Sequence, residues 1–165
     1  MKSLRVREFE DVDIGATAQV FFDAVRLGAA DYYDDRQRAA RAEKVPDADD
    51  WHERLLSQQT FVAELEARVA GFMTLDVDGH IDLAFVALTL IGKGVARALY
   101  QRIEAEASRL GIERLDTEAS HMARRFLERQ GWSVVRQQSV EMGDVSLTNF
   151  LMEKRLVAGT PSSDA

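Results

Sequence analysis

Cysteine is absent from the 165 residues, which excludes disulfides, thiolate nucleophiles and cysteine-bound metals and leaves a reducing compartment open. Long apolar runs are missing as well. No stretch approaches the length that spans a bilayer, and Met1 to Glu10 holds no apolar segment of signal-peptide length. The expectation is a cytoplasmic protein with no membrane partner. Positive charge is in deficit, with 21 Lys plus Arg against 28 Asp plus Glu and a formal net charge of −7. Such a balance disfavours a large phosphate-backbone footprint, so no nucleic acid is expected as a partner. A local basic pocket for a phosphorylated ligand stays open, because net charge describes the whole surface and not one cleft.

What remains is ordinary for a globular chain, 46% hydrophobic and 30% charged. Leu4, Val6 and Glu8 alternate with Arg5, Arg7 and Phe9, a period of two that predicts a short first strand. Asp11 or Asp13 can cap the next segment, where Ile14, Ala18, Phe21 and Val25 recur at helical spacing down to Gly28. Tyr32 to Glu43 predicts a second helix, ending before Pro46, and Trp51 to Leu56 a short third one beyond an acidic turn at Asp47 to Asp50. Thr60 to Leu65 and Arg68 to Val77 read as strands around a hairpin turn at Glu66-Ala67. Asp78-Gly79 then turns the chain into a third antiparallel strand, His80 to Leu88.

The period then changes. Val95, Leu99, Ile103, Ala107 and Leu110 mark one face of a helix that stops at Gly111, and Arg114 to Glu118 is the next strand. Strand, helix, strand from Ile81 to Glu118 makes a right-handed crossover, so its two strands should be parallel. Met122 to Gln130 predicts another helix, and Trp132 to Glu141 with Val145 to Lys154 a closing hairpin. The result is one α+β domain, residues 1–156, followed by a disordered C-terminal tail over 157–165, where Gly159, Pro161 and two serines favour a solvated chain.

Chemistry concentrates at Ile91-Gly92-Lys93-Gly94-Val95-Ala96, between a buried strand and an amphipathic helix. The first N–H groups of a helix have no partner within it, glycines let a phosphate approach the backbone, and the helix dipole favours negative charge. Lys93 can add a formal charge. A tight glycine turn without a ligand is the alternative. This stretch, together with Ile81-Asp82-Leu83-Ala84-Phe85-Val86 before it, resembles the acetyl-coenzyme A motif of the GNAT N-acetyltransferase family. Thr117-Glu118-Ala119-Ser120, Phe126-Leu127-Glu128-Arg129, Gly131-Trp132 and the run from Leu147 to Lys154 are similar to a bacterial subgroup of the family. Four positions depart from its pattern: Ile91 stands where an Arg or Gln is usual, Ala87 and Leu88 where His-Pro is common, and Leu127 where a Tyr protonates the departing thiolate.

The resemblance implies a mixed, mostly antiparallel twisted sheet flanked by helices, with one splayed parallel strand pair that receives the pantetheine arm of acetyl-CoA. Phe85, Val86 and Ala87 would face that arm with main-chain groups, while Gly92, Lys93, Gly94, Val95 and Ala96 would hold the pyrophosphate. Ser120 would contact the arm; as the residue before a helix it is equally suited to an N-cap. The acceptor would be a small-molecule or peptide amine, with no metal, and a homodimer is left open. An alkylammonium of pKa about 10 must lose a proton before it attacks. Period two places His80 and Asp82 on one face of their strand, and Asp82 matches a carboxylate that serves as base in relatives; a salt-bridged strand residue is the other reading. Glu118 and His121 are further candidates, and Tyr32 or Tyr33 could protonate the thiolate or line the acceptor groove. If Ile91, Ala87 and Leu127 abolish turnover, the chain is an acyl-CoA-binding module of the same fold.

Overall fold

A computed structural model describes residues 3–28, 34, 36–37, 44–142 and 144–156. Among these the elements run β1 (Leu4–Glu8), α1 (Ile14–Asp23, continued by a π-helical turn over Ala24–Gly28), α2 (Ala48–Leu56), β2 (Gln59–Leu65), β3 (Arg68–Leu75), β4 (His80–Ile81), β5 (Ala84–Val86), α3 (Val95–Arg109), β6 (Arg114–Ala119), α4 (His121–Arg129), β7 (Ser133–Met142) and β8 (Val145–Arg155). Most of the helix expected over Tyr32 to Glu43, and the tail expected over 157–165, lie outside the described residues.

Strand β2 sends Phe61, Ala63 and Leu65 to one face and Val62 to the other, and all four are buried, so both faces must be covered. Helix α3 covers the first face through Val95, Leu99, Ile103 and Ala107, each at most 1% exposed, and α4 adds Leu127. Helices α1 and α2 cover the second, where Ala18, Trp51 and Leu55 pack on Val62, Phe72 and Leu83. A helix as short as α2 is marginal alone. Burying Trp51 and Leu55 at roughly 1.5–3 kcal/mol per large apolar side chain is what holds it down, with Trp51 Nε1 donating to Thr17 Oγ1 at 3.0 Å.

The strands form two four-stranded sheets, ordered β1-β2-β3-β5 and β4-β6-β8-β7, all antiparallel except the β4–β6 pair. The parallel crossover is therefore present. The strand expected over His80 to Leu88 is not continuous. It breaks at Asp82-Leu83: His80 and Ile81 pair with Asp116 and Thr117, whereas Ala84–Val86 pair with Gly71–Met73. This break is the splay: the chain stays bonded on its β3 side, His80 to Asp76 and Leu83 to Thr74, but pairs with β6 no further than Ile81.

Local chemistry explains the other differences. Asp13 does not cap α1 with its side chain; its buried carboxylate accepts from Arg7 Nη1 at 2.7 Å, Arg7 Nη2 at 2.9 Å and the Glu10 N–H at 2.8 Å. The acidic stretch at Asp47 to Asp50 opens α2: Asp47 accepts from the Asp50 N–H, and Asp49 and Asp50 sit in the first turn, where the dipole favours them. The Glu66-Ala67 turn has φ of 53° and 63°, the paired positive angles of a type I′ hairpin formed without glycine.

Candidate active site

Beyond Ile81 the two parallel strands part, and a cavity of about 550 Å³ opens between β5 and the end of β6. Alternation of the backbone decides which groups look into it. The Thr74 N–H donates to the Leu83 carbonyl and the Ala87 N–H to Ala70, with Phe85 opposite Phe72 between them. Leu83, Phe85 and Ala87 thus turn their polar main-chain groups toward β3. Ala84 and Val86 turn theirs the other way, to the edge that β6 has left, and both line the cavity. Val86 is one of the residues expected to face the arm. Phe85 lines the wall while its ring packs on Phe21 and Phe72, and Ala87 is tied on both sides, its carbonyl accepting from the Leu90 N–H at 2.9 Å. Ala84 was missed, since the parity follows from strand register and not from side-chain pattern.

At one end of the cavity stands the turn into α3. Gly92 and Gly94 both have φ of 84°, and a Cβ at either would meet nothing within 4 Å, so conformation and access, not packing, require glycine there. Gly94 is the N-cap and makes no side-chain cap bond, which leaves the opening N–H groups of α3 without that kind of partner. Ile91, Gly92, Gly94, Val95 and Ala96 line the cavity, whereas Lys93 is exposed and does not. Charge comes from Arg97 on the first turn of α3 and from Arg125 and Arg129, one turn apart on α4. These arginines make the local basic pocket of an acidic chain; their signal was the i, i+4 spacing of Arg125 and Arg129 after β6.

The other end is acidic. Asp82 lines it, but Arg54 Nε and Nη2 hold its carboxylate at 2.8 and 2.9 Å, and Gln58 Nε2 adds a bond at 3.0 Å. Burial pushes the Asp82 carboxyl up, and these bonds more than reverse it, leaving it below the usual carboxylate range. That counts against Asp82 as acceptor of a proton from an ammonium. Glu118 lines the same end and accepts from the neutral Gln138 Nε2 at 2.7 Å, with no cation on it among the described residues. His121 is half-buried, its ring edge-on to Phe150 at 5.0 Å, and does not line the cavity. Ser120 does line it and caps α4, accepting from the Ala123 N–H at 3.2 Å. Leu127 is 6% exposed and contributes an apolar wall. Tyr32 and Tyr33 lie outside the described residues.

Main-chain groups at a splayed strand pair, a glycine-opened helix terminus and a cluster of arginines meet in one cleft, an arrangement suited to a ligand that carries phosphates. Comparison with known proteins gives the family. The family model for the acetyltransferase (GNAT) domain matches residues 29–156. The uncharacterized N-acetyltransferase YafP of Escherichia coli is 32% identical over 152 residues, covering 92% of this chain and 96% of that protein. A GCN5-related N-acetyltransferase from Rhodopseudomonas palustris superposes with a TM-score of 0.88 at 28% identity, covering 93% of this chain and 96% of the other. The putative acetyltransferase yncA from Salmonella typhimurium, solved with its cofactor acetyl-CoA, shares the fold at a TM-score of 0.71 and 21% identity, over 99% of both chains. The chain belongs to the GNAT acetyltransferase family and is an acetyltransferase enzyme. Acetyl-CoA is the cosubstrate of that family. Among the described residues no helix is long and apolar enough to cross a membrane.

Proposed function

We propose that this protein is an N-acetyltransferase that moves an acetyl group from acetyl-CoA directly to a primary amine of a small molecule or peptide. The observation that carries the reading is the convergence on one cavity of the β5 edge turned away from β3, at Ala84 and Val86, the open glycine turn and Arg97, Arg125 and Arg129. Acetyl-CoA supplies an activated thioester. Ala84 and Val86 would hold its pantetheine arm as a strand would, by N–H and C=O groups. The Gly94–Ala96 N–H groups and the arginines would hold its phosphates, Arg by planar, charge-assisted bonds. Ser120 keeps a hydroxyl hydrogen to donate while its oxygen caps α4.

In transfer a nitrogen–carbon bond forms, the carbon–sulfur bond breaks, the amine gives up a proton and the thiolate takes one. Glu118, paired among the described residues with the Gln138 amide, is the group we assign to receive the amine's proton, directly or through water. Asp82 and its Arg54 clamp would shape the acceptor end. A coupled assay of thiol release over a panel of primary amines tests the reading, which expects amine-dependent release above the hydrolytic background. A second reading, an acyl-CoA-binding module without turnover, draws on the buried Leu127 wall and the clamped Asp82. It is supported if acetyl-CoA binds and no amine releases thiol.

A further inference from the structure

Asp82 marks the point where the chain leaves β6: Ile81 is the last residue paired with it, while on the β3 side the His80 carbonyl accepts from the Asp76 N–H at 3.0 Å and the Leu83 carbonyl from Thr74. Two buried hydroxyls hold the chain at this crossing. Thr117 Oγ1, on β6, donates to the Ile81 carbonyl at 2.6 Å. Thr74, on β3, donates its N–H to the Leu83 carbonyl at 2.9 Å, and its Oγ1 accepts the Leu83 N–H at 3.0 Å. In a regular antiparallel pair both bonds would run between main chains. Here a side-chain oxygen replaces one carbonyl, and the strand sits off the ladder at the residue where the wedge begins.

Burial makes these hydroxyls informative. Thr74 is 0% exposed and Thr117 7%, on strands whose other inward residues are apolar. Valine would fill the same volume and leave no polar atom to satisfy. We propose that Thr74 and Thr117 are positioning residues that pin the strand on either side of Asp82 and so set the width of the wedge that receives the pantetheine arm. The proposal rests on the acetyl-CoA reading above and adds to it which side chains create the opening. Neither residue need touch the reacting atoms; they act through the placement of Ala84 and Val86.

The test is calorimetric titration of the parent, Thr74→Val, Thr117→Val and the matching serine variants with acetyl-CoA, alongside thermal melts. Each folded valine variant is expected to bind at least about tenfold more weakly, while Thr74→Ser and Thr117→Ser, which keep the hydroxyl, stay within about threefold of the parent. A residue that serves packing alone would show the reverse, since serine loses the methyl and valine keeps it. Folded valine variants that bind like the parent overturn the proposal and leave the functional reading standing. A parent that does not bind acetyl-CoA overturns both. Because valine could unfold the chain, hydrogen exchange at the Leu83 amide of the unmutated protein is measured too. Strong protection is expected; exchange at the rate of open backbone overturns the Thr74 clamp.

Discussion

Gly94 allows conformation and access to be separated by experiment. Its φ of 84° lies in the left-handed region, and an added Cβ would meet nothing within 4 Å. Gly94→Ala therefore incurs the conformational cost alone, about 1–2 kcal/mol. For a chain of this size that lowers Tm by roughly 2–8 °C. Gly111, which follows α3 at φ 75° with nothing within 4 Å of its Cβ position, supplies a matched control outside the cavity. Gly111→Ala should lower Tm by a similar amount and leave acetyl-CoA affinity unchanged. Gly94→Ala should also weaken binding by about tenfold or more, because its methyl would stand in the open space through which a pyrophosphate reaches the backbone. Paired melts and titrations read both effects. Equal affinities for the two variants would refute the reasoning, since strain would then be the whole effect.

Asp13→Asn should destabilise the fold by roughly 1.5–3 kcal/mol, because it weakens the charge-assisted bonds from the Arg7 guanidinium, 15% exposed, and leaves it Glu64 as a carboxylate partner; a Tm loss below 2 °C would contradict this. Burial raises the Asp13 carboxyl, and the Arg7 and Glu10 bonds bring it below its ordinary value, so this stability is present above the unfolded chain's Asp pKa of about 3.9 and is lost as pH falls through the lower folded value. Acid titration of the parent should show that loss, and Asp13→Asn should flatten it. Glu118→Gln should cut thiol release by about 100-fold while Asp82→Asn stays within about tenfold of the parent; the opposite order would move the proton acceptor to Asp82. Gly71→Ala should cost about 1–3 kcal/mol by overpacking, since its Cβ would lie 2.7 Å from the Phe85 carbonyl oxygen and 3.1 Å from Val95 Cγ1, and a melt unchanged from the parent would disprove it.

Side-chain period was enough to place most elements. Val95, Leu99, Ile103 and Ala107 lie on the buried face of α3, and Gly111 ends it with the positive φ expected of a helix stop. Strand alternation foretold β2, β3 and β6 to within about a residue or two, the usual uncertainty of element ends. What escaped was decided by partners distant in sequence. The run from His80 to Leu88 looks like one strand; where it divides, Thr74 and Thr117 bond to it from other strands, contacts that its own pattern does not contain. Asp82 looks like a base until Arg54, 28 residues away, is brought against it. Ser120 satisfied the local rule, and so is found as a cap. The glycine turn was legible because its requirement is local, whereas Ala84 as a contributor of main-chain groups could not be named before the register with β3 was known.

Amide hydrogen exchange of the unmutated protein, resolved by residue with and without acetyl-CoA, tests the assignment of this cavity most directly. Binding in the wedge should slow exchange at Ala84 and Val86 and at Gly94, Val95 and Ala96, and leave the amide of Gly111 unaffected. Saturating acetyl-CoA that leaves these amides unchanged, or protects a different set, would contradict it.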